Sequence, residues 1–324
     1  MLVNSIFTNL LDKRQSSQWN TIAIRASPRT CYAEFMHLHS ALKKIEPLGQ
    51  KLTGQLPLCP WLPILERLDP RTLSAYPPPA NIRVMAEEGP FKQLRFNDTH
   101  NVWFPKETAL SAELWSEYLC VFWPHRANGH YYLNHGTLIK PGDICLDCGA
   151  CEGFFGLQAL AAGAEKVICI EPSETMAACL KKTFATEIKT GRVLVENVAA
   201  GAMEGTVRFS FDGLDPFSGK IGAATTAINI PMTTITKICA DLKLPRVDFI
   251  KMDIEGAEIQ ALEGALPLLE KFHPKLAITT YHRPFDYRML HALAIASSYR
   301  KIYAAGLTQR GDGIYRPMMM HASK

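Results

Sequence analysis

The stretch Asp143 to Gly156, D-I-C-L-D-C-G-A-C-E-G-F-F-G, constrains this chain more than any other. Ile144 to Leu146 is a short apolar run that ends in an acid and a glycine, and Gly153 opens an apolar, alanine-rich stretch to Ala162. The pattern predicts strand, tight turn, helix. Gly149 and Gly153 let the chain turn sharply and approach a neighbour closely, and the free amides at a helix start attract an electron-rich group. A second apolar strand, Lys166 to Pro172, closes on Glu171, where an acid at a carboxyl end can accept hydrogen bonds from two ribose hydroxyls. Together these predict a nucleoside site.

Spacing narrows the nucleoside. A dinucleotide fingerprint needs G-x-G-x-x-G, whose second glycine admits the pyrophosphate. Here the glycines fall at 149, 153 and 156, with Ala150 after the first, which argues against NAD and a nicotinamide dehydrogenase. Pro141-Gly142-Asp143, Asp147-Cys148-Gly149-Ala150, Glu171-Pro172, Asn197-Val198-Ala199-Ala200 and above all Lys251-Met252-Asp253-Ile254-Glu255-Gly256-Ala257-Glu258 resemble the S-adenosylmethionine-dependent methyltransferases of the FkbM family. The resemblance runs from about Pro141 to the end. It implies a Rossmann-like class I methyltransferase fold with S-adenosyl-L-methionine as cofactor and O-methylation of a hydroxyl on a small molecule, sugar or glycan. The family's turn usually carries Asn where this chain has Cys151, which removes one polar contact to the cofactor. The competing reading from another class is a non-catalytic cofactor-binding module that recruits a partner through residues 1–80.

Composition supports a folded α/β protein. Of 324 residues, 47% are hydrophobic and 20% charged, enough for a sizeable core. The net charge of +4 accrues before residue 80 and reads as solvated surface, so nucleic-acid binding is not expected. Apolar runs fall well short of the roughly 20 residues of a membrane span. The nine cysteines are an odd number, several of them inside predicted elements, which suits reduced thiols and a cytoplasmic setting. Cys145, Cys148 and Cys151 are spaced like a cluster motif but lack a fourth ligand nearby, so they are read as small apolar side chains. Lys13 to Thr30 is acid-free and Arg/Ser-containing, faintly like a transit peptide, a reading set aside.

Three regions are expected: an accessory region at 1–80, a strand-and-helix lead-in at 81–140 and the methyltransferase domain at 141–324. In the first, Ala33 to Ile45 has helical spacing, Pro-rich chain follows it, and Pro77 to Pro79 force an extended linker, while His37 and His39 point apart. The lead-in shows two or three strands between Asn81 and Phe104 and a helix from Thr108, with Trp103, Trp115 and Trp123 in the core. From 141 the alternation of strand and helix predicts a seven-stranded, mostly parallel sheet with helices on both faces. Expected helices are Gly153–Ala162, Glu174–Lys189, Glu258–Leu269 and Tyr287–Ala296. Thr206–Phe211 and Ala227–Met232 form an inserted antiparallel pair around the loop 212–226, and Met318 to Met320 fill a terminal strand.

Asp147, Gly149, Ala150 and Gly153 are expected beneath the methionine part of the cofactor, Glu171 and Pro172 at the ribose, and Asn197 and Val198 at the adenine edge. Asp253, ending its strand, is expected to face the methyl group or the methionine amine, both binding and catalysing. His282, one strand over, is the expected general base, because a histidine titrates near neutrality. Arg283 beside it could hold an acidic or sugar-linked acceptor or cap a helix. A Mg2+ site from Asp253, Glu255 and His282 is set aside, because Asp253 and Glu255 would point to opposite sides of a continuing strand.

Overall fold

The computed structural model describes residues 45–53, 56, 59–69, 72, 77–210, 220–221 and 228–324. The chain falls into two units, 1–53 and 54–324. In the first, residues 45–52 are helical; the expected helix Ala33–Ile45, the histidines 37 and 39 and the stretch 13–30 lie outside the described residues apart from Ile45.

The second unit opens with α1 (Trp61–Leu68), inside the proline-rich stretch that precedes Pro77. Pro60 precedes it and Pro63 stands in its first turn, where backbone N–H groups have no helical partner, so proline removes nothing the helix uses. Strands β1 (Ile82–Glu88), β2 (Phe91–Phe96) and β3 (His100–Pro105) form an antiparallel meander. Helix α2 (Ala112–Phe122) starts later than its spacing suggested. The Ser111 side chain caps it by accepting from the Leu114 amide, and Leu110 is left outside and exposed.

The strand–helix alternation follows: β4 (Ile144–Cys148), α3 (Phe154–Ala161), β5 (Lys166–Ile170), α4 (Glu174–Thr183), α5 (Ala185–Lys189) and β6 (Val193–Glu196). A small sheet comes next, from β7 (Ala199–Ala200), β8 (Gly205–Ser210), β9 (Lys220–Ile221) and β10 (Ile228–Thr233), in which β8 and β10 are the expected antiparallel pair. The loop 212–226 lies mostly outside the described residues. The chain then runs through α6 (Ile235–Asp241), β11 (Phe249–Met252), α7 (Glu258–Glu263), α8 (Leu266–Phe272), β12 (Lys275–Thr279), α9 (Asp286–Ala296), β13 (Lys301–Gln309) and β14 (Tyr315–Ser323).

The main sheet has seven strands in the order β13-β14-β12-β11-β4-β5-β6, with only β14 antiparallel to its neighbours. Apolar side chains alternate between its faces. Cys145, Phe249 and Met319 join α2, α3 and α4 in one core, while Leu146, Cys148, Ile250 and Met320 join α6, α7, α8 and α9 in the other. Cys145 and Cys148 therefore sit on opposite sides of the sheet, as strand geometry requires of residues three apart. The chain builds outward from β4 to β6 and then returns to the far side of β4 as β11. Strand order reverses between β4 and β11, and ligands of open parallel sheets bind beyond the carboxyl ends of such strands.

Two expected helices are each broken in two, for packing reasons. Phe184 interrupts Glu174–Lys189 and is fully buried, its ring filling the space above Gly153 and Gly156, where a Cβ would come within 2.7 Å and 2.9 Å of it. The run Glu258–Leu269 breaks after Glu263 because the backbone of Gly264 passes the Gly201 carbonyl, 2.2 Å from where a Cβ would stand.

Candidate active site

A hollow lies at the carboxyl tips of β4, β5 and β11, and Gly149, Glu171 and Asp253 line it together. Ala150, Cys151, Pro172, Ala199, Ala200 and Lys251 are also in its wall, α2 contributes Glu117 and Cys120, and Tyr132 and Tyr281 close it.

Gly149 has φ +75, and a Cβ there would lie 1.9 Å from the Asp253 carbonyl oxygen. The glycine freedom expected to admit a ligand serves first to let the tips of β4 and β11 touch. Gly153, with φ +85, lies outside the lining and clears Leu180 and Phe184. Cys151 has φ +41, a left-handed conformation that asparagine tolerates well, which rationalises an Asn at this place on backbone grounds.

Asp147 does not line the hollow. It is fully buried on β4 directly opposite Lys251 on β11, and the two form an ion pair at 3.0 Å. Lys251 Nζ also donates to the Gly149 carbonyl at 2.6 Å. Burial works against the charge on Lys251, but Asp147 and Asp253 outweigh it and raise its pKa. This pair fixes the turn from below. Both strands signalled it by placing a charge inside an apolar run.

Glu171 is 6% exposed, and its oxygens accept the Cys151 amide at 2.9 Å and the Ser173 amide at 2.8 Å. A carboxylate has about four acceptor sites, so room remains for two hydroxyls. Burial pushes it up to about 7 against those two amides. Asn197, expected at the adenine, donates its amide to the Glu171 and Pro172 carbonyls at 2.8 Å and 3.0 Å. Neither Asn197 nor Val198 lines the hollow; Ala199 and Ala200 stand there instead.

Asp253 is held on several sides. The Tyr132 hydroxyl donates to Oδ2 at 2.9 Å, the Thr279 hydroxyl lies 3.2 Å from Oδ1, and His130 Nε2 lies 3.6 Å from Oδ2. Burial would raise its carboxyl, but His130, His282, Lys251 and the Tyr132 hydrogen bond hold it below the ordinary aspartate value. His282 does not behave as the expected base. Burial pushes its imidazole down, yet the Glu255 and Glu258 carboxylates beside it lift it to about 10, so at neutral pH it already carries the proton a base would need to accept. It also lies outside the lining. Arg283 follows, its backbone amide donating to Asp286 at 2.6 Å. The objection to Asp253 and Glu255 sharing a site falls away as well. β11 ends at Met252, and Glu255, at φ +56, turns back so that both carboxylates face His282.

Glu117, His130, Tyr132 and Glu152 went unrecognised in the sequence. Burial and the charges of Glu152, Asp253 and Glu255 push Glu117 up to about 8. Tyr132 and His130 reach Asp253 from the segment before β4, anchored by a contact at 2.8 Å between Thr137 Oγ1 and His321 Nδ1, both residues fully buried. Burial first, and then His135 and His130, push His321 down to about 3. In the unfolded chain this histidine protonates near its ordinary value of about 6.5. The unfolded state then binds more protons, so stability falls as pH drops from about 6.5 towards 3, in all by on the order of 5 kcal/mol at about 1.4 kcal/mol per pH unit. Urea unfolding from pH 7 to pH 4.5 should show a shallower loss in His321→Gln than in the wild type; parallel curves would contradict the assignment.

Strand order, switch point and hollow define a class I methyltransferase fold. Residues 147–301 match the methyltransferase FkbM domain. The match begins inside β4 and ends at the start of β13. Among solved structures, methyltransferase FkbM from Methylobacillus flagellatus KT is 26% identical with a TM-score of 0.43, over 59% of this chain and 46% of that one. This chain thus spans less than half of that relative. TYW2 from M. jannaschii in complex with AdoMet is 12% identical with a TM-score of 0.41, over 74% of this chain and 88% of that one. The precorrin-6y C5,15-methyltransferase from Geobacter metallireducens GS-15 is 12% identical with a TM-score of 0.35, over 57% and 82%. No curated protein matches the chain. Among the described residues, no helix is long and apolar enough to cross a membrane.

Proposed function

We propose that the hollow binds S-adenosyl-L-methionine and that the chain methylates a hydroxyl of a small-molecule, sugar or glycan acceptor. The observation that carries this is the convergence of the Gly149 turn, Glu171 and Asp253 on one hollow at the switch point. The charge of the wall agrees with it. Glu152, Glu171, Asp253 and Glu255 stand against Lys251, with Glu117 adding a carboxyl held largely protonated at neutral pH, an acceptor-rich wall suited to a ligand bearing a sulfonium and an ammonium and unsuited to the phosphates of a nucleic acid.

Residues fitted to the cofactor are Glu171 for the ribose hydroxyls, the backbone of Gly149, Ala150 and Cys151 for the methionine end, and Pro172, Ala199 and Ala200 as packing surface. When bound, it supplies a methyl group activated on a positively charged sulfur. The chain's own part is to orient the acceptor hydroxyl, exclude water and receive a proton. Asp253 fits that part: Tyr132 and Thr279 fix its carboxylate, and an alkylated hydroxyl is acidic enough to give its proton even to a carboxylate of lowered pKa.

Calorimetry with S-adenosylmethionine tests the cofactor assignment. Glu171→Ala should weaken binding by the about 1–3 kcal/mol of an unpaired polar contact. Because Glu171 in the free protein stands at about 7, wild-type affinity should rise with pH through neutrality, as the carboxylate that accepts the hydroxyls becomes populated. Unchanged affinity in the variant, or a flat pH profile, would remove Glu171 from the ribose. Labelled methyl transfer into a cell extract, with the labelled product identified, tests the acceptor class.

A further inference from the structure

We infer that His282 Nε2, Asp253 Oδ1 and Glu255 Oε1 form a divalent-cation site in the wall of the hollow, with Glu258 behind it orienting the histidine. The His282 side chain is 5% exposed, and its Nε2 lies 3.7 Å from Asp253 Oδ1 and 3.6 Å from Glu255 Oε1. It is thus a buried ring nitrogen aimed between two carboxylates and within hydrogen-bond reach of neither. Ligand atoms bonded to a divalent cation at roughly 2.0–2.4 Å stand roughly 3–4 Å from one another, and both distances from Nε2 fall in that range.

The other ring nitrogen supports the same reading. Nδ1 is 3.0 Å from Glu258 Oε1, the arrangement in which a carboxylate behind a histidine fixes the ring, and a cation at Nε2 would displace the proton that the metal-free imidazole carries there. Glu258 is itself fixed: it is 1% exposed, and Oε1 accepts the Ile254 and Gly256 amides at 3.0 Å and 3.3 Å. On Asp253, Tyr132 engages Oδ2, while Oδ1 faces His282 with Thr279 beside it. One nitrogen and two carboxylate oxygens suit Mn2+ or Mg2+ better than a thiol-seeking metal.

Asp253 and Glu255 both line the hollow, so the cation would stand where an acceptor enters. This consequence rests on the methyltransferase reading: the cation's open positions take two neighbouring oxygens, which points to a vicinal diol or a hydroxy acid as acceptor. Cation binding itself does not need that reading.

The test is a Mn2+ titration of the full chain after dialysis against chelator, without cofactor, followed by the electron paramagnetic resonance signal of free Mn2+. One saturable Mn2+ per chain is expected, with binding about 10–100-fold weaker in Glu255→Gln and His282→Gln. In the wild type, Mn2+ should also broaden the ring-proton resonances of His282 before those of other histidines, a readout that does not depend on the variants folding. Absence of saturable binding, equal affinity in a variant that circular dichroism shows to be folded, or broadening centred on another histidine would overturn the site. Mn2+ binding without any S-adenosylmethionine binding would leave the site standing and overturn the methyltransferase reading instead.

Discussion

Lys251→Met should destabilise the protein by about 3–5 kcal/mol, the usual cost of removing one partner of a buried ion pair. Lys251 and Asp147 are 5% and 0% exposed, and no other cation forms an ion pair with Asp147 among the described residues. The loss would come from a stranded carboxylate more than from a missing attraction. Replacing both partners with apolar residues should therefore recover most of it, so Asp147→Leu combined with Lys251→Met should be more stable than Lys251→Met alone. Urea unfolding of the two single variants and the double variant measures the coupling. Additive losses would mean that the pair does not act as a unit. The single variant should also bind cofactor less tightly, because Lys251 Nζ holds the Gly149 carbonyl.

Gly149→Ala is the second large effect. An alanine at φ +75 costs roughly 1–2 kcal/mol for the left-handed conformation. Its Cβ would also stand 1.9 Å from the Asp253 carbonyl, and forcing the two strand tips apart adds about 1–3 kcal/mol of overpacking. Gly142 supplies the control, with φ +88 and open space where its Cβ would go. Gly142→Ala should cost the conformational part alone. Equal losses in the two variants would show that the contact with Asp253 does not matter. Because the separation of β4 and β11 shapes the hollow, Gly149→Ala should lower cofactor affinity as well, and Gly142→Ala should not.

What could be read in the sequence was what local chemistry determines. The strands from Asp143, Lys166, Val247 and Lys275 announced themselves as apolar runs ending in an acid or a turn, and the tip residues Gly149, Glu171 and Asp253 came with them. The hidden residues are those whose place is set by packing between distant segments. Tyr132 and His130 reach Asp253 from a stretch without periodicity, and Glu117 arrives on a helix whose pattern identifies its apolar face and not which acid points inward. The assignments that changed did so for the same reason. Asn197 spends its amide on the carbonyls of the neighbouring strand tip. His282 is favoured in its protonated form by the Glu255 and Glu258 carboxylates, whose approach depends on β11 ending at Met252. The breaks at Phe184 and Gly264 answer to Gly153 and Gly201, which no helical periodicity within their own segments could reveal.

A crystal of the full chain grown with saturating S-adenosylmethionine tests the central claim most directly. The nucleoside should lie between the Gly149–Cys151 turn and Glu171, with both ribose hydroxyls on the Glu171 carboxylate and the sulfur end towards Asp253. A nucleoside seated elsewhere on the protein, or a hollow that holds only water at that concentration, would contradict the account.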